Sequence, residues 1–216
     1  MSNLLLEIAK CSDIAAAMSD ENHPCHKIVS LQNGKPFQIP EPWNGNLQEA
    51  QILFISSNPS ISSLEKEEYP VETWTEKKIQ EFFLNRFSTS YYKNNVRFWT
   101  YIKKYAGWTL DMDASDEELP KKICITEVVH CKSVNEKGVT ECCDHCADKW
   151  LGKVLAEFQG QYIILLGSRA KRFEAQVRAA GKPALWMPHP VSGTWTDTER
   201  KDAITEWKKE INGSNY

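Results

Sequence analysis

The stretch ILFISSNPS, residues 52–60, decides how the rest of the sequence is interpreted. Its apolar first half, Ile52–Ile55, contains β-branched residues and stops at a polar turn, which predicts a buried strand. Similar short runs occur at Ile123–Val129, Tyr162–Leu166 and Ala184–Met187. Each run is bounded by polar or turn residues, so the sequence predicts four strands.

Helical patterns of apolar residues lie between these runs, and they cover Trp74–Tyr105, Cys146–Phe158, Ser168–Ala180 and Glu199–Ile211. Helices that alternate with strands indicate βαβ units and a parallel sheet. We therefore expect an α/β fold with three α/β/α layers around a central, mainly parallel, four-stranded sheet. The acidic segment Asp111–Lys122 has no clear apolar period and is expected to be an exposed loop.

The length and composition of the chain are typical of one soluble domain, with 216 residues of which 41% are hydrophobic and 25% charged. We expect a single domain over 1–216, with an N-terminal extension at 1–49 and a motif-bearing core at 50–195. No apolar run approaches the roughly 20 residues that span a membrane, and the N-terminus does not resemble a signal peptide. These features favour a monomeric, cytoplasmic protein without a membrane partner. The net charge of −3 does not indicate a nucleic-acid binder, although a local basic stripe would suffice.

The loops that follow the four strands are the expected location of function, because ligands bind at the carboxyl ends of parallel strands. Asn58 follows the first strand and His189 follows the last. Either residue alone is well explained by turn formation or by a structural role. Together they are candidates for the two sides of one small cleft.

Four motifs resemble those of the uracil-DNA glycosylase superfamily. The segment ILFISSNPS is similar to its G-x-N-P-G first motif, and PHPVSG at 188–193 is similar to its second. ITEVVHCKS at 125–133 resembles a strand of the iron–sulfur branch, and YIILLGSRAKRF at 162–173 resembles the strand-to-helix step that follows. The resemblance covers about residues 50–195 in the same order and spacing, and it implies that DNA is the partner.

The resemblance implies a monofunctional DNA glycosylase that flips out a nucleotide and hydrolyses its N-glycosidic bond. Asn58 would hold the attacking water, and His189 would stabilise the charge on the departing base. Because an amide is not a strong base, most of the catalysis would be positional and electrostatic. The absence of an Asp at position 58 argues against vigorous uracil-type hydrolysis.

The residues expected to bind the base are Glu127, Tyr69 and Ser57. Glu127 stands where the uracil-specific enzymes of the family carry Asn, and a carboxylate only accepts hydrogen bonds. This favours a cytosine-like or modified base with an exocyclic donor, whereas a protonated Glu127 would instead donate to O4. A third alternative is a strand-end Glu that faces water. Tyr69 would stack on the base, or it is a loop aromatic on the rim.

Seven cysteines are many for a cytoplasmic chain of this length, and in that compartment they more often bind metal than form disulfides. The resemblance implies a [4Fe–4S] cluster held by Cys25, Cys131 and Cys146, with Cys143 or alternatively Cys11 as the fourth ligand. Zinc is the alternative metal, because four thiolates suit either group. The metal would tie the N-terminal extension to the core. Cys124 lies in a strand and is expected to be plain core.

The residues expected to contact DNA are polar, basic or aromatic side chains at the strand ends, namely Ser60, Lys132, Arg169, Ser192 and Trp195. Hydroxyls and backbone amides bind phosphate without net positive charge, and Ser62 and Ser63 add to the hydroxyls near the first motif. Trp195 is a candidate wedge for the space left by the flipped base, or it packs on Trp186. Arg169 is also well explained as part of a solvated first helical turn.

Two functions of other classes compete with the glycosylase. The same fold with a weakened site would be a module that binds a modified base or a DNA end without cutting. The cysteines also allow a redox sensor.

Overall fold

The computed structural model describes residues 3–32, 37–61, 69–86 and 96–213. Its centre is a sheet of five strands in the order β1-β3-β2-β4-β5. The bounds are β1 Trp43–Asn44, β2 Ile52–Ser56, β3 Ile123–Glu127, β4 Tyr162–Leu166 and β5 Ala184–Met187. Strands β2 to β5 are parallel to their neighbours, and β1 pairs with β3 in the antiparallel direction. The four predicted strands are confirmed.

Helices cover both faces of this sheet. Those in the described residues are α1 Leu4–Ala9, α2 Asp13–Ser19, α3 His26–Ser30, α4 Glu76–Arg86, α5 Arg97–Leu110, α6 Val139–Glu157, α7 Gly167–Lys171, α8 Glu174–Ala179 and α9 Asp197–Gly213. Side chains from α1, α3, α4, α6 and α8 form one apolar layer, and those from α5 and α9 form the other. The α/β/α architecture expected from the sequence is therefore confirmed. No helix of the described residues is long and apolar enough to cross a membrane.

The central strand β2 explains why the apolar run at 52–55 is continuous. All five of its residues are buried, since a parallel strand between two helical layers must be apolar on both faces. Leu53 and Ile55 point to the layer with α6, whereas Ile52 and Phe54 point to the layer with α5 and α9. The pairing register of β2 with β3 places Ser56 beside Glu127 at the carboxyl edge.

Several element bounds differ from the sequence-based expectation. A fifth strand, Trp43–Asn44, has only two residues and leaves no periodic signal. The single helical pattern predicted over 74–105 contains two helices, α4 and α5, and residues 87–95 lie outside the described part. The segment 111–122 is not a wholly exposed loop, because Leu119 and Pro120 are buried in a short 3₁₀ turn.

The N-terminal segment packs as an integral part of the core. Leu4, Leu5 and Ile8 of α1 are 0–5% exposed and belong to the same apolar layer as α6. The apolar contacts of α1 therefore help to hold this part of the 1–49 extension against the core.

Candidate active site

The carboxyl edge of the sheet brings the predicted loops together. The loop after β2 runs beside the loop after β3, with a parallel bridge between Ser60 and Ser133. The backbone N–H of Ser133 donates to Pro59 at 3.0 Å, and that of Ile61 donates to Ser133 at 2.9 Å. This ladder extends the β2–β3 pairing beyond the strands and fixes the backbone around Asn58.

Hydrogen bonds hold both the nitrogen and the oxygen of the Asn58 side-chain amide. Its Nδ2 donates to Oγ of Ser133 at 2.6 Å and to the carbonyl of Pro59 at 3.0 Å. Its Oδ1 accepts from the hydroxyl of Ser57 at 3.1 Å. An sp² oxygen has two lone pairs, so Oδ1 keeps one for a water molecule. Asn58 is therefore oriented as a fixed hydrogen-bond acceptor at the edge of the sheet.

His189 lies after β5 and is half-buried. The backbone N–H of Val191 donates to its Nδ1 at 3.4 Å, which places the proton of the neutral ring on Nε2. Burial lowers the pKa of His189, and the cation of Arg200 lowers it further, whereas the carboxylate of Glu136 opposes the shift. His189 is therefore a neutral ring at pH 7 with an N–H donor at Nε2.

The two loops are connected through the start of α7. The Arg169 guanidinium donates to Oγ of Ser57 at 3.2 Å and to the Glu136 carboxylate at 2.7 Å. Gly167 stands beside His189 with a φ of +82°, and an added Cβ would lie 3.4 Å from Cβ of His189. A glycine is therefore needed where α7 passes the imidazole. In this structure the contacts of Arg169 are to protein groups of the site.

Glu127 is buried, so the sequence-based alternative of a strand-end carboxylate in water is wrong. The residue is 9% exposed, and its Oε2 has no hydrogen-bond partner among the described residues. Burial raises the pKa of Glu127 well above its usual value, and the nearby Glu41 raises it further, whereas a hydrogen bond from Ser56 opposes the shift. Burial therefore favours the neutral carboxylic acid, which has one O–H to donate, over the carboxylate.

Tyr69 and Lys132 form a buried contact next to this carboxyl. The Lys132 ammonium lies 3.9 Å from the centroid of the Tyr69 ring, and the Tyr69 hydroxyl donates to Glu41 at 3.1 Å. Lys132 is 1% exposed, so it is not on the surface for the DNA contact that the sequence predicted. Tyr69 is 4% exposed. A base could stack on this ring only after its neighbours moved, and stacking therefore stays a prediction.

The loop after His189 carries the remaining predicted DNA contacts. Trp195 packs edge-to-face on Trp186, with ring centroids 5.7 Å apart. This is the packing that the sequence offered as the alternative to a wedge in DNA. Ser192 is half-buried and lies 3.1 Å from the hydroxyl of Thr194. Val191 is the exposed apolar side chain of this loop, at 46%. Ser60 is exposed on the other side of the site, and Ser62 and Ser63 lie outside the described residues.

The loop after His189 is held by a residue that was not predicted from the sequence. Arg200 of α9 is 0% exposed, and its guanidinium donates to the carbonyls of Ser192 at 2.9 Å and Trp195 at 3.1 Å. It also contacts the hydroxyl of Tyr105. Arg200 lies in a sequence with the pattern of a surface helix, and this pattern gives no sign that its side chain is buried.

A group of thiols lies on the buried side of α6. Cys25, Cys131, Cys142 and Cys146 are buried, Cys11 is half-buried, and all are free. Burial raises the pKa of Cys131 well above its usual value and that of Cys146 to about 12, and the other thiols of the group add to both shifts. The pKa of Cys25 is instead lowered, chiefly by a hydrogen bond with Cys142. Thiolates of this kind are the ligands that zinc and iron–sulfur clusters take, and a metal at this place stays a prediction.

Cys143 is placed differently from this group. It is turned about 100° around α6 from Cys142. Apart from burial, the groups that act most on its pKa are Arg172, Asp144 and Arg169 rather than the thiols. Cys11, the alternative fourth ligand, acts on the pKa of both Cys131 and Cys146. Cys143 also acts on the pKa of Cys146, so the choice between Cys11 and Cys143 as the fourth ligand stays a prediction. Cys124 is plain core, as expected.

Comparison with known families identifies the superfamily of the chain. The family model of the uracil DNA glycosylase superfamily matches residues 42–211. The match covers most of the chain, which therefore belongs to the uracil DNA glycosylase superfamily. Members of this superfamily are DNA glycosylases, hydrolases that act on DNA in base excision. A search of curated proteins gave no significant match. The family predicted from the sequence is confirmed, and its iron–sulfur branch stays a prediction.

Proposed function

We propose that the protein is a monofunctional DNA glycosylase that hydrolyses the N-glycosidic bond of a flipped-out pyrimidine. The observation that carries this proposal is the pair formed by Asn58 and His189. One is a fixed acceptor after β2, the other a neutral donor after β5, and both follow parallel strands at the carboxyl edge of the sheet.

Each residue has one task in this mechanism. Oδ1 of Asn58 orients a water molecule toward the sugar carbon as the glycosidic bond stretches. The sugar becomes oxocarbenium-like, and the base leaves with negative charge on O2. Nε2–H of His189 donates to that oxygen, and a preorganised donor of this kind contributes about 3–4 kcal/mol to the barrier reduction. The neutral ring donates through Nε2–H while Nδ1 keeps the hydrogen bond from Val191, which protonation of Nδ1 would remove.

Glu127 supports a pyrimidine with a 4-oxo group as the preferred substrate. A hydrogen bond from Ser56 acts on this carboxyl, and we assign the acidic proton to Oε2, which has no hydrogen-bond partner among the described residues. An O–H at that position donates to O4 of uracil or of a 5-substituted uracil. The expectation of a cytosine-like base assumed an ionised carboxylate, and burial disfavours that state. A neutral carboxyl also donates to N3 of cytosine, so cytosine-type bases remain the second substrate class.

DNA would approach over the loops that carry Ser60 and Ser192. We propose Val191 as the wedge that fills the space of the flipped nucleotide, because its apolar side chain is exposed beside His189 while Trp195 is packed on Trp186.

We further propose that Cys11, Cys25, Cys131 and Cys146 hold a [4Fe–4S] cluster, with zinc as the alternative. When bound, this group supplies a cross-link between the N-terminal helices and α6. The residues of the reaction, Asn58 and His189, act without it.

A cleavage assay tests the proposal. Oligonucleotides that contain uracil, 5-substituted uracils, hypoxanthine or substituted cytosines are incubated with the protein and then treated with alkali. We expect breaks only after alkali, since a monofunctional enzyme leaves an intact abasic site. Asn58→Ala and His189→Ala should each reduce the rate by roughly 10²–10³-fold.

Two variants provide matched controls. Asn22→Ala and His26→Ala remove the same side-chain types at positions away from the sheet edge, and both should cleave at the wild-type rate. Tight binding without breaks on any substrate would instead identify the non-catalytic module.

A further inference from the structure

Three side chains with metal-binding atoms gather beside the thiol group, at a place that the glycosylase reaction does not use. Asp13 begins α2, His23 precedes α3, and His145 lies on α6. Oδ2 of Asp13 and Nε2 of His145 are 2.7 Å apart, although 132 positions separate the two residues. The rings of His23 and His145 meet edge-on with centroids 5.3 Å apart.

The spacing of these three residues suits one metal ion. One donor atom from each lies within 4.8 Å of the others. A tetrahedral zinc ion binds nitrogen and oxygen at about 2.0–2.2 Å, which puts neighbouring ligand atoms about 3.3 Å apart. Shifts on the order of 1 Å therefore convert the present arrangement into a coordination site, and the ion takes the place of the proton shared by Asp13 and His145.

Neighbouring groups orient two of the three ligands. The ammonium of Lys149 donates to Oδ1 of Asp13 at 2.5 Å, while Oδ2 faces His145. The backbone N–H of Cys25 donates to Nδ1 of His23 at 3.1 Å and fixes the plane of the ring, whose proton then lies on Nε2. An ion bound to Nδ1 of His23 would replace this hydrogen bond.

Solvent access and donor type separate this place from the thiols. The side chains of Asp13 and His145 are 21% and 38% exposed, so an ion reaches them from solvent. Two imidazoles and one carboxylate are the borderline and hard donors that zinc accepts, whereas the buried sulfurs form a soft set. We propose that Asp13, His23 and His145 bind one Zn²⁺ ion, with the fourth position open to water.

This ion would join α2 to α6 at the surface, independently of any metal on the cysteines. The test uses the purified full-length protein with whatever cysteine-bound metal it carries. Co²⁺ replaces Zn²⁺ as a visible probe, because cobalt on nitrogen and oxygen ligands shows only weak d–d bands, while cobalt on thiolates adds strong charge transfer. We expect one equivalent of Co²⁺ per chain with the weak bands, displaced by Zn²⁺.

Two variants of the site should lose this equivalent. His145→Gln removes one ligand, and His23→Gln removes another while leaving the Asp13–Lys149 ion pair intact. Both should retain the wild-type content of cysteine-bound metal and the wild-type circular dichroism. His26→Gln is the matched control, since this histidine binds the carbonyl of Ala17 outside the site. It should keep the full equivalent.

Wild-type protein that binds no Co²⁺, or binds it only with thiolate charge transfer, would overturn the proposal. Equal binding by His23→Gln, His145→Gln and wild type would also overturn it. The readout is a metal count, so it does not depend on whether the protein cleaves DNA.

Discussion

Glu127 shows how burial changes the chemistry that a side chain offers. In the sequence it is a carboxylate that only accepts hydrogen bonds. In the structure it stands at the end of β3 with an unpartnered Oε2 and a pKa raised above 4.5. A neutral carboxyl both donates and accepts, and in this respect it resembles the amide that other members of the family carry.

We predict that Glu127→Gln retains activity within about tenfold at pH 7, because glutamine also donates and accepts. Glu127→Ala should lose roughly 10–100-fold with the hydrogen bond to the base. Initial rates on the best substrate of the cleavage panel measure both effects. A Gln variant as inactive as the Ala variant would mean that the carboxyl acts in its ionised form.

The raised pKa of Glu127 also predicts that the stability of the protein depends on pH. The unfolded chain releases the Glu127 proton above pH 4.5, while the folded protein holds it up to its raised pKa. Wild type should therefore lose stability relative to Glu127→Gln as the pH rises through this window, by up to about 1.4 kcal/mol per pH unit. Urea unfolding at pH 5, 7 and 9 tests this, and parallel curves for the two proteins would contradict it.

The sequence pointed to some residues of the site and concealed others for physical reasons. Asn58 and His189 were found because strand ends meet at one edge of a parallel sheet. Glu41 and Arg200 were missed because a buried charge depends on partners far away in the chain, and composition and periodicity carry no record of them. Lys132 was misplaced for the same reason, since only the fold reveals that its ammonium lies on Tyr69.

At the scale of elements, the His189 loop depends on a helix that contributes nothing to the reaction. Arg200 of α9 holds the carbonyls of Ser192 and Trp195, and its charge also lowers the pKa of His189. Arg200 is therefore a positioning residue that acts both on the geometry of the loop and on its electrostatics.

We predict different outcomes for two substitutions of Arg200. Arg200→Gln removes the positive charge and the guanidinium that holds the two loop carbonyls, so kcat should fall by roughly 10²-fold. The acid limb of the kcat/KM profile should also move to higher pH, because the pKa of His189 rises. Arg200→Lys keeps the charge but loses the guanidinium geometry. We therefore expect kcat to fall while the acid limb stays at the same pH. Lys201→Gln on the exposed side of α9 is the control. Limbs that move equally in both Arg200 variants would refute the electrostatic role.

The start of α6 has a separate requirement for glycine. Gly138 has a φ of +82°, and a Cβ there would lie 2.5 Å from the backbone nitrogen of Ile28. Gly152, in the exposed interior of the same helix, has nothing within 4 Å of an added Cβ. The two glycines therefore make a matched pair, one fixed by packing and one without a steric role.

We predict opposite effects of alanine at these two positions. Gly138→Ala should lower the free energy of unfolding by more than about 1 kcal/mol through backbone strain and the clash with α3. Gly152→Ala should raise it by about 0.5–1 kcal/mol, because alanine favours the helix interior. Thermal and urea unfolding measure both, and a stabilised Gly138→Ala would contradict the packing of α6 against α3.

For the whole molecule, the thiol group joins segments that are far apart in sequence. We predict that Cys131→Ser abolishes the bound cluster or zinc and lowers the free energy of unfolding by more than about 2 kcal/mol. Cys143→Ser should keep the metal if Cys11 is the fourth ligand, as proposed above. Metal analysis and unfolding of the two variants test this, and loss of metal in both would restore Cys143 as a ligand.

The separation of these thiols also has a consequence during synthesis. Cys11 and Cys25 leave the ribosome long before Cys131 and Cys146, and the first half of the sheet emerges in between. No cluster or zinc site can close until α6 has been made and has docked. The early cysteines therefore pass through translation as unprotected sulfhydryls, and expression under oxidising stress should trap nascent chains in mixed disulfides before they mature.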